Sequence, residues 1–321
     1  MNCLICLKPL AKPTAEYHPA CKKRLFGSAS VQLQLAQSRQ DLVQGMPKKT
    51  TGFSISGVQI KAQAAILENQ LQLVDHDGEF IIKPSPEEYP GVSENEHLTL
   101  TLMTKLGYPV PACGLISLSD GHKVFIIRRY DRSSAGKIHQ EDAMQAMGLG
   151  NEVDASKYTA GSYLDVLKFA RSHGGPAVCR DLLSRLIFSY VVGNNDHHLK
   201  NISFLPASPF GLAPAYDVLN AQIHASDSTS MALRFYPKGH LPFDEPAYFR
   251  EMGIGHYSGG DFIELGRAAG LPEKAISTLI RKLCVEVEKH ARRLVEASFL
   301  SGEMKVSYLK LLSERLNFLA I

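Results

Sequence analysis

NNDHHLKN, residues 194–201, is followed by AYD at 215–217. The run puts Asp196 five residues ahead of Asn201 and a second acid, Asp217, a short distance downstream. That order suits phosphoryl transfer, where protein groups position more than they react: Asp196 orients the attacking hydroxyl, while Asn201 and Asp217 offer oxygen ligands to magnesium on the phosphates. An Asp and an Asn alone would equally describe a polar loop after a buried helix; the third oxygen-bearing group favours the metal site. Between them ISFLPASPFGLAP, residues 202–214, reads as two apolar stretches around a Pro, Ser and Gly turn, which predicts a hairpin folding Asp217 back toward the pair. His198 is assigned to hydrogen bonding around this loop and His197 is left open. Lys200 is a candidate charge stabiliser for the moving phosphoryl group, or equally a salt-bridged surface lysine.

Working outward, CRDLLSRLIFSYVVG at 179–193 sets Leu182, Leu183, Leu186, Ile187, Tyr190 and Val191 on one broad stripe, which predicts a buried helix delivering Asp196. Residues 261–318 read as three further helices. Upstream of residue 132 the pattern changes to strands and turns. LQLVDHDGEFIIK and GLISLSDGHKVFIIRRY each predict a hairpin, across Asp77-Gly78 and Asp120-Gly121, because Asp followed by Gly supplies the positive φ of tight turns. Between them ENEHLTLTLMTKLG predicts a helix with Leu98, Leu102 and Leu106 on one face, Glu96 in its first turn and Gly107 as its C-cap.

The fold class is therefore α+β: an N-terminal segment over 1–50, an antiparallel, nucleotide-binding sheet lobe over 51–131, and a mainly helical catalytic lobe over 132–321. The nucleotide is expected between the lobes, its adenine edge near Arg128 to Tyr130. Lys83 ends the strand EFIIK; taken alone it is a solvated strand end, but beside Glu96 and the downstream acids it becomes a candidate for fixing the α and β phosphates. FSISGVQIKAQA, from Phe53, has the start of a loop covering phosphates, with amides near Ser54, Ile55, Ser56 and Gly57 forming an anion nest and Gln59 a further candidate for binding the nucleotide. A single glycine there is equally consistent with a surface turn. Ser54 and Ser56 are candidate autophosphorylation sites, since a phosphate of about −1.5 to −2 charge would repel nucleotide or redirect the loop.

The chain has 321 residues, 45% hydrophobic and 21% charged, with a formal charge of +3. That is too weakly basic to argue for direct DNA binding. No apolar stretch is long enough to span a bilayer and the start lacks a secretory pattern, so a cytoplasmic protein is expected. Cys113, Cys179 and Cys284 are scattered, unlike a disulfide framework. Cys3 and Cys6, then His18 and Cys21, form a CxxC and an HxxC whose spacing lets four soft ligands converge on one structural zinc; reduced, noncoordinating thiols are the other reading.

From about Phe53 onward, SISGVQIK, FIIKP, ENEHLTLTLM, IRRYDR, HQED at 139–142, NNDHHLKN and APAYDVLN occur in an order that resembles the HipA-like serine/threonine kinases, bacterial toxins of toxin–antitoxin operons. The resemblance implies a bilobal protein-kinase-like fold, ATP and magnesium, Asp196 as base, Asn201 and Asp217 on the metal, Lys83 on the phosphates, and serine autophosphorylation before Val58. It also implies an aminoacyl-tRNA synthetase as substrate, phosphorylated to block translation. About fifty residues precede the phosphate loop, fewer than in HipA, and with the two-serine loop this looks most like the short HipT branch. That branch implies the tryptophanyl rather than the glutamyl enzyme, and small HipS-like and HipB-like antitoxin partners. A small-molecule kinase of the same fold, or a noncatalytic antitoxin-partner subunit, are the alternatives.

Overall fold

Alternating burial along 62–65 and unbroken burial along 124–127 are what strands of a covered sheet require, and both segments take that form in the computed structural model. The structure describes residues 1–44, 60–133, 136–150, 156–224, 231–239 and 256–320. Two compact units are each built from discontinuous stretches. The first comprises Met1–Ile138, Pro214–Leu219 and Arg292–Lys305; the second comprises His139–Ala213, Asn220–Ala291 and Val306–Ile321.

The first unit begins with helices α1, Pro19–Phe26, and α2, Arg39–Gln44. Its sheet contains β1 (Ala62–Leu67), β2 (Gln70–Val74), β3 (Phe80–Lys83), β4 (Cys113–Ser117) and β5 (Lys123–Arg128), in the order β2-β1-β3-β5-β4 with every pair antiparallel. The expected hairpin across Asp120-Gly121 forms, with Cys113 opposite Ile127. The one expected across Asp77-Gly78 does not. β2 folds onto β1 through Glu68-Asn69, whose φ values of 49° and 62° make the tight turn, and β3 crosses to the other side of β1. Gly78 has a different task. A side chain there would begin 2.8 Å from Gln63 Cβ and 2.9 Å from the Ala64 amide, so the chain passes β1 only because this residue has none.

Helix α3, Val92–Lys105, is buried around almost its whole circumference, from Val92 through Met103, and is followed by Gly107 at φ 87°. It begins early enough to put Glu96 in its second turn rather than its first. The core of this unit joins Phe80, Ile82, Ile126 and Ala64 to Cys3, Ile5, Leu25 and Phe26 of the N-terminal segment.

Beyond a small hairpin of β6, Arg132–Ser133, and β7, Gly136–Lys137, the second unit holds β8 (Glu141–Asp142), β9 (Ser203–Leu205) and β10 (Gly211–Leu212), which form the order β10-β9-β8. The hairpin expected within 202–214 is the β9–β10 pair. Short helices α4, Ala143–Ala146, and α5, Ser156–Thr159, precede α6, Tyr163–Val191, which starts at a Ser162/Asp165 capping box. α6 breaks where Gly175 and Pro176 interrupt the backbone ladder, and its second half buries all six residues of the expected stripe. Helices α7, Gly259–Ala268, α8, Glu273–Ala297, and α9, Gly302–Phe318, account for the three expected near the C-terminus. Ile276, Ile280, Leu283 and Val287 of α8 are buried at helical spacing, so its core face is continuous.

Candidate active site

In the first unit, β3 ends on Lys83, 3% exposed, whose ammonium donates to Glu96 Oε1 at 2.6 Å and to Asp217 Oδ1. Burial of one ammonium with two carboxylates would leave an unmatched negative charge, which a low-dielectric interior penalises heavily. Lys61, with a side chain 41% exposed, supplies the missing cation through a 3.0 Å contact to Asp217 Oδ2. The four groups thus balance. Burial alone would lower the Lys83 pKa, but Asp217 and Glu96 outweigh it and hold the ammonium above its ordinary value. For Asp217, burial opposes ionisation, yet Lys61 and Lys83 hold the carboxyl far below the usual range. Burial raises Glu96, with Lys83 working against it and Asp217 adding to it.

Asp217 also sits at φ 52°, a left-handed conformation that an Asp tolerates at some cost and that tends to persist where surrounding structure needs it. Ser93 Oγ donates to the Lys83 carbonyl at 2.9 Å, tying the start of α3 to the end of β3. Downstream, Asp131 receives Arg129 at 2.8 Å and Arg132 at 2.6 Å, and the Tyr130 and Tyr216 rings stack at 6.2 Å. The Arg128 amide is committed to the Ala112 carbonyl at 2.8 Å, and its guanidinium lies 4.0 Å from Glu79.

In the second unit, the turn after α6 carries Asp196, 5% exposed. Tyr158 OH donates to Asp196 Oδ1 at 2.6 Å, and His198 Nε2 lies 3.8 Å from the same oxygen. Asn201 Nδ2 donates to the Asp196 backbone carbonyl at 2.8 Å, which leaves its amide oxygen as the atom suited to a hard cation. The structure therefore brings Asp196, His198 and Asn201 together in one turn. Lys200 is half-buried within the 3-10 segment Leu199–Asn201. His197 is structural: Ser189 lies 2.7 Å from its Nδ1, Tyr163 OH donates to its carbonyl, and burial pushes its pKa down to about 3. Ser54, Ser56, Gly57 and Gln59 lie outside the described residues.

The ligand atoms of Cys3, Cys6, His18 and Cys21 all lie within 4.8 Å of one another. Burial pushes the Cys21 thiol up to about 12, whereas at Cys3 the burial penalty is outweighed by backbone N–H groups that hold it below its ordinary value. Sequence reasoning missed Lys61 and Tyr158. Lys61 sat inside a quoted motif, but nothing in spacing marks a second cation for Asp217, and Tyr158 reaches Asp196 across 38 positions.

Among the described residues no helix is long and apolar enough to cross a membrane. A family model described as the HipA-like C-terminal domain matches residues 53–291. A Haemophilus influenzae protein named "Putative kinase" is 36% identical over 306 residues, covering 89% of this chain and 88% of that one. The Shewanella oneidensis "Serine/threonine-protein kinase toxin HipA" is 24% identical over 192 residues, 52% of this chain and 44% of the toxin. Among solved structures, a chain of the Shewanella complex of HipA, HipB and operator DNA superposes with a TM-score of 0.67 at 17% identity, covering 87% of this chain and 69% of that one. The Helicobacter pylori kinase CtkA superposes at 0.53, also at 17% identity, covering 85% and 92%. These likenesses give the mixed fold a kinase-like architecture, and by the extent of its family match the chain belongs to the HipA-like C-terminal domain family of kinases.

Proposed function

We propose that this chain is an ATP- and magnesium-dependent serine/threonine protein kinase that acts as the toxin of a toxin–antitoxin pair. The observation that carries the reading is the charge-balanced set of buried Lys83, Glu96 and Asp217 with the exposed Lys61 at its edge. An ordinary core has no use for three buried ionisable groups, whereas a nucleotide site needs an ammonium for phosphate oxygens and a carboxylate for the metal that neutralises them. Lys83, held by Glu96, takes the α and β phosphates. Asp217 and Asn201 supply hard oxygen ligands to magnesium, which when bound would offset the triphosphate's charge. Asp196, with Tyr158 and His198 fixing its carboxylate, accepts the hydroxyl proton, and Lys200 faces the charge that develops on the moving phosphoryl group.

Arg128 and Tyr130 border the adenine, with Ser54, Ser56, Gly57 and Gln59 covering the phosphates; Ser54 and Ser56 are the autophosphorylation sites. The three-part division at residues 50 and 131 belongs to this reading. So do the HipT-like assignment, a cytoplasmic location, an aminoacyl-tRNA synthetase as substrate, the tryptophanyl enzyme ahead of the glutamyl, and small HipS-like and HipB-like antitoxin partners. Any zinc on Cys3, Cys6, His18 and Cys21 is structural, because four protein ligands close the site to substrate.

The test is transfer from radiolabelled ATP by the purified chain to itself and to each synthetase, followed by site mapping. Label on Ser54 or Ser56 and on one synthetase is expected, and loss of both in Asp196→Gln. Label entering only a small molecule, or none entering any acceptor, contradicts the reading.

A further inference from the structure

The two residues between Cys3 and Cys6 are the ones that grip the sheet and the helix carrying Glu96. The Leu4 carbonyl accepts from the Leu115 amide at 2.8 Å on the outer edge of β4, and the Ile5 carbonyl lies 3.0 Å from His97 Nε2 on α3. A carbonyl only accepts, so this His97 nitrogen carries the proton. Gly114 of β4 has no side chain, and one placed there would begin 2.7 Å from Ile5 Cγ1. Tyr17 OH donates to the Leu115 carbonyl at 3.1 Å and Ser117 to Glu16 at 2.7 Å, so the segment carrying His18 and Cys21 lies along the same strand.

The geometry around the four ligands is that of a metal knuckle. A tetrahedral zinc with Zn–S bonds of about 2.3 Å sets its ligand atoms about 3.8 Å apart. Here the four lie within 4.8 Å, with His18 Nδ1 3.4 Å from Cys6 Sγ and 3.9 Å from Cys21 Sγ. His18 Nε2 stands 3.1 Å from the Pro9 carbonyl, which fixes the proton on Nε2 and turns the Nδ1 lone pair toward the sulfurs. The His18 backbone N–H donates to the Cys3 sulfur at 3.5 Å, a donor that a metal-bound thiolate uses. Leu7, directly after Cys6, sits at φ 59° with its amide on the Cys3 carbonyl, a turn that a leucine adopts only under constraint. All three cysteines are free thiols, and pairing among them would always leave one over.

We propose that Cys3, Cys6, Cys21 and His18 Nδ1 bind one zinc ion, and that the ion anchors the segment on β4 through Leu4 and braces α3 through Ile5, keeping Glu96 on Lys83. Soft thiolates with one imidazole in a tetrahedral array select zinc over the hard cations that phosphoryl transfer uses, so the two metal requirements are separate. Zinc loss would loosen α3 and weaken the ion pair that orients Lys83, making nucleotide binding responsive to zinc supply or thiol oxidants. The control of nucleotide binding rests on the kinase reading of Lys83 and Glu96; the brace itself does not.

Full-length protein purified without added metal is expected to carry about one zinc per chain by plasma mass spectrometry. Stripping it with a chelator is expected to speed amide exchange across residues 92–105 about tenfold or more, with recovery on adding Zn²⁺. Cys6→Ser with Cys21→Ser should reproduce the stripped state; the chelation arm decides the matter if that variant does not fold. Less than about half an equivalent of zinc overturns the site, and zinc that leaves without changing exchange over 92–105 overturns the brace. Zinc-coupled exchange in a chain that binds no nucleotide supports the brace and contradicts the kinase reading alone.

Discussion

Lys83 is the residue on which two carboxylates depend. Replacing it by Met keeps most of the side-chain volume but leaves Glu96 and Asp217 with Lys61 alone, and removing one partner of a buried ion pair costs about 3–5 kcal/mol. Lys83→Met should therefore lower the urea midpoint markedly and abolish phosphate transfer, whereas Glu96→Gln, which keeps the Lys83–Asp217 pair, should cost less stability. Equal midpoints for Lys83→Met and the parent would mean that these charges are not paired in solution. At this scale the sequence was legible where chemistry follows spacing: Asp196 and Asn201 share one turn because only a short polar run separates them. It was silent on Lys61 and Tyr158, whose partners lie 156 and 38 positions away and are chosen by folding, not by local pattern.

At the scale of elements, the stripe from Leu182 to Val191 was readable because a buried helix must repeat its apolar residues every three or four positions. The β3 pairing was not. Asp77-Gly78 has the composition of a hairpin turn, yet Gly78 is selected for contact with β1, while the true turn uses Glu68, a residue that seldom takes positive φ. Gly78→Val tests the difference. If the glycine serves a close approach, its new side chain meets the Ala64 backbone, which cannot rotate away, and overpacking of this kind costs about 1–3 kcal/mol. A variant as stable as the parent by urea unfolding would contradict this packing account.

For the molecule as a whole, acid stability carries a signature of the second unit. His197 is held neutral, its folded pKa near 3 against an ordinary value of 6.5, so the unfolded chain takes up a proton first as pH falls. That depresses stability progressively between pH 6.5 and 3, by about 2 kcal/mol at pH 5 relative to pH 7 for this one group. Urea unfolding at the two pH values should show the loss, and His197→Gln should reduce the pH dependence while lowering stability at pH 7; an undiminished dependence would assign it to other groups.

The central claim, that Asp217 serves a metal-bound nucleotide while Asp196 serves the transfer step, meets its most direct test in calorimetric titration with magnesium and a nonhydrolysable ATP analogue. Asp217→Ala is expected to lose magnesium-dependent binding, and Asp196→Gln to retain the parent's affinity within about twofold. Undiminished binding by Asp217→Ala would contradict the account.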